Sequence, residues 1–341
     1  MTRASAPESG SSRSRSQHSR RQEELAHVAT LHYVEGLEQQ EIAELIHVSP
    51  STVSRMLREA LACGIVEIRV NHPLPRDGQL EQELQERFGL PEAWVLGKDP
   101  EGDLDSLGRL GARCLESRFS TELSLSICWG NTTRAVIESL RPIARSNVHT
   151  VQMIGSMGSS DALIDGGALT RLAAARLGGG YTLLNAPLVV DDADFATRLL
   201  SQGAIKRVLS RAANTDYALA GLGSIDPEHS ALCRAGFVSK AELLEARDLG
   251  AVGDICGNLV DGRGRPVRST LSERIISLPL EQLSSIRRVI GVAIGREKAG
   301  IIRAALLGRH LHALVTDRST ATMLLEPRAP STRAESRTTG F

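Results

Sequence analysis

Long apolar runs are missing from this chain of 341 residues: no stretch of eighteen or more apolar residues occurs, and the N-terminus is rich in Ser and Arg. Without them neither a membrane span nor an export signal is expected, and a cytoplasmic location follows. Cysteine is sparse, with Cys63, Cys114, Cys128, Cys233 and Cys256 scattered, odd in number and never in a Cys-x-x-Cys pair. A disulfide framework and a structural zinc are therefore not expected. His27, His32, His310 and His312 have no carboxylate or thiol partners at ligand spacing, so no metal ligand is assigned. Net charge is also lacking, since 40 Lys and Arg balance 40 Asp and Glu. The whole chain is thus not marked as a nucleic-acid binder, although a few placed arginines suffice for phosphate contacts. Such charge is local here, with Arg3, Arg13, Arg15, Arg20 and Arg21 against Glu8 alone in the first 21 residues. Lysine is rare, limited to Lys98, Lys206, Lys240 and Lys298. A lysine at a strand end is then a candidate partner for an anion or a hydroxyl.

What is present begins with Gln39 to Arg58. Ile42, Ile46, Val48, Val53 and Met56 are spaced so that two short helices share one buried face, and Ala43 is small enough to let them cross closely. Ser49 suits an N-cap and Pro50 the first helical position, where no N–H is missed. This pattern predicts a helix-turn-helix that binds DNA. Ser49, Ser51, Thr52, Ser54, Arg55 and Arg58 are the candidate contacts, short hydroxyls and arginines suited to base edges and phosphates in a major groove. His47 stands at the turn position usually held by Gly, where a left-handed backbone is expected.

Residues 1–20 are low-complexity Ser/Arg and predicted to be a disordered arm. Residues 21–71 form the DNA-binding domain, in which the alternation of Ile65 to Val70 predicts a short wing strand whose Arg69 reaches a phosphate. Residues 72–90 read as a linker and a helix, with Leu80, Leu84 and Phe88 on one side and Gly89 and Pro91 at its end. Residues 91–326 alternate between strand and helix. Strands are expected at Leu123–Trp129, Val148–Ile154, Tyr181–Leu184, Tyr217–Gly221, Ala251–Ile255, Arg274–Ile276, Val289–Ile294 and His312–Val315. Several are continuous apolar runs, so the fold class is α/β, a mostly parallel sheet covered by helices with its ligand at the strands' C-terminal ends. Residues 327–341 return to a Ser/Thr/Arg/Pro tail, predicted to be disordered.

The residues just after each strand are then the candidate site. Gly130, Asn131, Thr132 and Thr133 open a helix where backbone N–H groups, two hydroxyls and the helix dipole could receive an anion such as a phosphate. A simple Gly turn with a Thr cap is the alternative. Gly155, Asp254 and Lys298 stand at or near other strand ends, and Thr316-Asp317 follows the last. No Gly-x-x-x-x-Gly-Lys-Ser/Thr loop occurs, and Gly221-Leu222-Gly223 lacks a third Gly opening a helix, so neither ATP hydrolysis nor a dinucleotide cofactor is expected.

Leu125–Leu140, Gly250–Val267, Gly291–Leu306 with Lys298, and Leu314–Leu325 resemble the sugar-binding domain of SorC-type bacterial transcriptional regulators. The helix-turn-helix and Gly64-Ile65-Val66 are similar to that family as well, and the likeness spans residues 24–326 in order. It implies a Rossmann-like domain related to phosphosugar isomerases, joined to a winged-helix-like DNA-binding domain. It also implies a homo-oligomer, dimer or tetramer, and a phosphorylated sugar or polyol as effector. By that resemblance Gly130 to Thr133 would hold the phosphate, while Asp254 and Lys298 would read hydroxyls or the phosphate. Cys128 stands where the family often has Ser, and Ser156 and Ile294 where it often has Gly.

A non-enzymatic regulator of a carbohydrate operon, repressor or activator, is the leading expectation, with operator DNA and the effector as partners. The alternative is a phosphosugar isomerase with a DNA-binding appendage. Asp254 and Lys298 could move protons, but no matched base stands beside Gly130 to Thr133.

Overall fold

The computed structural model describes residues 11–66, 74–97, 103–118, 122–143, 147–158 and 163–326. They fall into two compact units, Met1–Pro73 and Leu74–Phe341. The first contains α1 (Ser11–Tyr33), α2 (Gln39–Leu45) and α3 (Pro50–Ala62). Leu25 and Val28 of α1, Ile42 and Ala43 of α2, and Val53, Met56 and Ala60 of α3 make its core. Val48, expected on that buried face, is 37% exposed. It stands between the turn residue His47 and the cap Ser49, on the rim where the chain reverses. Helix α1 begins at Ser11, so residues 11–20 are helical where a disordered arm was expected. No Gly or Pro interrupts them, and Arg and Gln propagate a helix started by the apolar stripe that follows. The wing residues 67–70, with Arg69, and the first ten residues and last fifteen lie outside the described residues.

The second unit opens with α4 (Gly78–Phe88), whose Leu84 is fully buried in the main core. Set apart with the linker on sequence grounds, this helix is an integral layer of the larger unit. There follow β1 (Glu92–Val95), α5 (Leu104–Glu116), β2 (Glu122–Ile127), α6 (Asn131–Ser139), β3 (Asn147–Gln152), α7 (Gly166–Arg176) and β4 (Gly180–Thr182). Next come α8 (Ala193–Ser201), α9 (Gly203–Ala213), β5 (Tyr217–Ser224), α10 (Ala231–Arg234), α11 (Lys240–Asp248), β6 (Ala251–Ile255) and β7 (Asn258–Asp261). The chain closes with α12 (Leu280–Ser285), β8 (Arg288–Val292), α13 (Ala299–Leu307), β9 (Ala313–Thr316) and α14 (Arg318–Leu325).

The strands run β4-β3-β2-β5-β8-β9-β1, with every pairing in that path parallel. Leu125, Ile127, Leu219, Ile290 and Val315 are almost fully buried, as strands covered by helices on both faces require. Strand β6 leaves the path, pairing antiparallel with the end of β5 and then with β7. The strand expected at Arg274–Ile276 is absent. Ser272–Arg274 is a single 3₁₀ turn, and Ile275 and Ser277 make one isolated bridge each, to Val189 and Ile154. The backbone there is hydrogen-bonded on both sides, the Val190 N–H to Arg274 and the Ile276 N–H to Leu188 on one, the Gly155 N–H to Ile276 and the Leu278 N–H to Met153 on the other, but each contact stops at a single bridge. The chain order reverses between β2 and β5, which opens a crevice at their C-terminal ends.

Candidate functional site

Helix α3 starts as its residues dictate. The Ser49 hydroxyl accepts the Thr52 N–H at 3.2 Å, and Pro50 fills the first helical position. His47 takes φ 56°, the left-handed conformation its place in the turn demands. Arg55, Arg58 and Ser51 are exposed, while Thr52 and Ser54 are half-buried beside them. Ser49 also shares hydrogen bonds with Ser51 at 2.8 Å and Thr52 at 2.9 Å, so its first role is to hold the start of the helix. Arg21 of α1 reaches Glu59 of α3 at 2.6 Å, and that hydrogen bond holds the Glu59 carboxyl below its ordinary range, with Arg55 adding to the effect. The acid near the end of the arginine-bearing helix thus stays ionised and paired with Arg21.

In the larger unit a cleft of about 220 Å³ opens at the C-terminal ends of β2, β5 and β8. It is smaller than the roughly 300–1,000 Å³ of drug-sized sites, and fits a small polar molecule. Gly130, Asn131 and Thr132 form one wall at the start of α6. The first-turn N–H groups of a helix have no partner within it, so this wall presents backbone donors to the cleft. Asp254 and Lys298 line the same cleft. Asp254 is 7% exposed, and its Oδ2 accepts the Gly257 N–H at 2.8 Å. A Cβ at Gly223 would fall 1.9 Å from its Oδ1, so only glycine leaves room for this carboxyl. Burial pushes the Asp254 carboxyl up to about 6, against the lowering by the Gly257 N–H and the Lys298 charge. Lys298 is shifted down from its usual value, first by burial and further by Arg234, against the opposing pull of Glu297 and Asp254. Burial thus disfavours the charged form of both groups, and both face the same cleft.

Two expected site residues lie elsewhere. Thr133 is 1% exposed and its hydroxyl donates to the Trp129 carbonyl at 3.4 Å, so it shapes the loop from behind. Gly155 is a packing glycine: its N–H donates to Ile276 and a Cβ would lie 2.2 Å from the Pro187 carbonyl oxygen. Sequence reasoning missed Leu104, Trp129, His229 and Arg234, which also line the cleft. Trp129 was within reach, since it directly precedes the Gly130 loop. Leu104 and Arg234 come from helices that only the folded topology brings to the strand ends.

Residues 72–326 match the family model described as "Putative sugar-binding domain", and residues 28–63 match that of Sigma-70, region 4. The chain is 32% identical to the sorbitol operon regulator of Klebsiella pneumoniae, over 89% of this chain and 97% of that protein. It is 30% identical to the deoxyribonucleoside regulator of Bacillus subtilis, over 87% and 95% of the two chains. The crystal structure of the full-length sorbitol operon regulator SorC from Klebsiella pneumoniae superposes with a TM-score of 0.69 at 30% identity, covering 89% of this chain and 99% of that one. These relatives are named as regulators, and nothing in them supports the isomerase alternative. Among the described residues no helix is long and apolar enough to cross a membrane. The chain therefore belongs to the SorC-type family of sugar-binding transcriptional regulators.

Proposed function

We propose that this regulator binds a palindromic operator as a symmetric homo-oligomer and that a phosphorylated sugar or polyol, held in the β2–β5–β8 cleft, changes its affinity for that operator. The observation that carries this reading is one cleft lined both by a helix start suited to an anion, Gly130 to Thr132, and by the buried Asp254 and the half-buried Lys298. The first suits a phosphate and the second suits hydroxyls, which is the pair of chemistries a sugar phosphate presents. The names of the sorbitol operon and deoxyribonucleoside regulators support a carbohydrate-derived effector. Helix α3 supplies the reading head, with Ser51, Thr52, Ser54, Arg55 and Arg58 toward the groove and Ser49 capping the helix. One head offers only two arginines, so specific binding rests on paired copies. A gel-shift titration of the chain's own promoter region with sugar phosphates and their unphosphorylated parents tests this. Operator affinity should respond to a phosphorylated compound and not to its parent, whereas sequence-independent binding indifferent to every compound would overturn the reading.

A further inference from the structure

Lys298 stands on a short turn, Arg296–Lys298, that is entered through Gly295 at φ 109°. One hydrogen bond fastens that entry to the next layer: the Gly295 N–H donates to the Thr320 hydroxyl at 3.1 Å. Thr320 is fully buried in the first turn of α14, where its own N–H donates to the Asp317 carboxylate at 3.1 Å. Beside it, Arg318 pairs with Asp77 at 3.4 Å. Asp77 caps α4 through the Leu80 N–H, and its own N–H donates to Val95 at the end of β1. A second connection runs alongside, because the Leu96 N–H donates to Thr316 and the Gly97 N–H to Pro75. Residues 75–77 are thus laced to β1 and α14, and they directly follow the stretch at which the chain enters this unit.

We propose that Thr320 is a positioning residue of the cleft, and that the first turn of α14 transmits the state of the Lys298 turn through Arg318 and Asp77 to residues 75–77. This rests on the assignment of the cleft as the effector site. A ligand that engages Lys298 draws on the turn, and Gly295 is the place where the turn can move. The Thr320 hydroxyl makes that movement an event in α14. Coupling between two sites needs an element that both can bias, and this turn of helix contacts the structures on both sides.

The test uses the full chain, its operator, and sorbitol 6-phosphate, fructose 6-phosphate and ribose 5-phosphate as probes. The quantity read is the factor by which a probe changes operator affinity, about 5- to 150-fold in coupled systems. Thr320→Val keeps the side-chain volume and removes the hydroxyl. It should reduce that factor about fivefold or more while leaving operator affinity without probe within about threefold, and Thr320→Ser, which restores the hydroxyl, should retain the wild-type factor. Arg318→Ala, at an exposed position, should also lower the factor, and it decides the matter if the valine variant does not fold. Wild-type coupling in either Thr320→Val or Arg318→Ala, or failure of serine to rescue, overturns the proposal. A wild-type complex indifferent to all three probes overturns the cleft assignment and this proposal with it.

Discussion

The carboxyl of Asp254 sits where burial favours the neutral acid, at about 6 against an ordinary 3.8, and stability should record it. Between those values the folded chain binds a proton that the unfolded chain has released, so stability falls as pH rises through that window. The difference of about 2 pK units corresponds to roughly 3 kcal/mol. Asp254→Asn, neutral at every pH, should therefore unfold at higher urea than the parent at pH 8 and lose that advantage at pH 4, while effector binding is lost. Equal destabilisation at both pH values would show that the carboxylate is better accommodated than its surroundings suggest. The residues legible in the sequence were those whose place after a strand carries the chemistry: Gly130, Asn131, Thr132, Asp254 and Lys298 all meet in one cleft. Thr133 and Gly155 satisfied the same rule and lie outside it. Thr132 lines the cleft, whereas Thr133 is buried with its hydroxyl donated to the Trp129 carbonyl, a bond that the pattern of small polar residues does not reveal. The closeness of Pro187 to Gly155 is a long-range fact that no local pattern contains.

Helix α3 shows how an element can be strongly specified at its start and strained just before it. Ser49 caps it through the Thr52 N–H. Ser49→Ala should lower the stability of the DNA-binding unit by about 1 kcal/mol, the usual worth of such a cap. His47 at φ 56° works in the opposite direction. Replacing it by Gly relieves a left-handed conformation that costs a side-chain-bearing residue roughly 1–2 kcal/mol. His47→Gly should then raise the urea midpoint of that unit and Ser49→Ala lower it, and a destabilised glycine variant would mean that the imidazole makes a contact worth more than the strain. Strands were legible where apolar residues alternate, as in β2, or run on, as in β8 and β9, and β2, β3, β5, β8 and β9 all fall within two or three residues of expectation. Arg274–Ile276 failed in extent alone: it pairs with Leu188–Val190 on one side and Gly155 on the other through one bridge each, and a short apolar pair does not tell a single bridge from a strand. Strand β7 was missed for the complementary reason: Asn258–Asp261 is too short and too polar at its ends to signal, and it pairs only because β6 turns back on it.

At the scale of the molecule, two units with separate cores carry two separate chemistries. Leu25, Ile42, Val53 and Ala60 close one core, and none of them belongs to the cores of the larger unit. Substitutions in different units that share no partners add in free energy. Arg55 is exposed on α3 and Thr132 lines the cleft. On the proposed reading Arg55→Ala costs a charge-assisted groove contact, and operator affinity should drop about tenfold for a loss of some 1–3 kcal/mol. Effector affinity, measured calorimetrically without DNA, should stay within a factor of about two, since the arginine lies on a unit whose core the cleft does not share. Thr132→Ala should reverse the pattern, weakening the effector and sparing the operator. The contrast with Thr133→Ala sharpens the test: that hydroxyl holds the loop through Trp129, so its loss should lower stability as well as effector affinity. The double variant Arg55→Ala with Thr132→Ala should bind the operator no worse than Arg55→Ala alone. A further loss in the double variant would mean that the two units exchange energy even without a ligand, and the cleft would then bias the reading heads in its empty state.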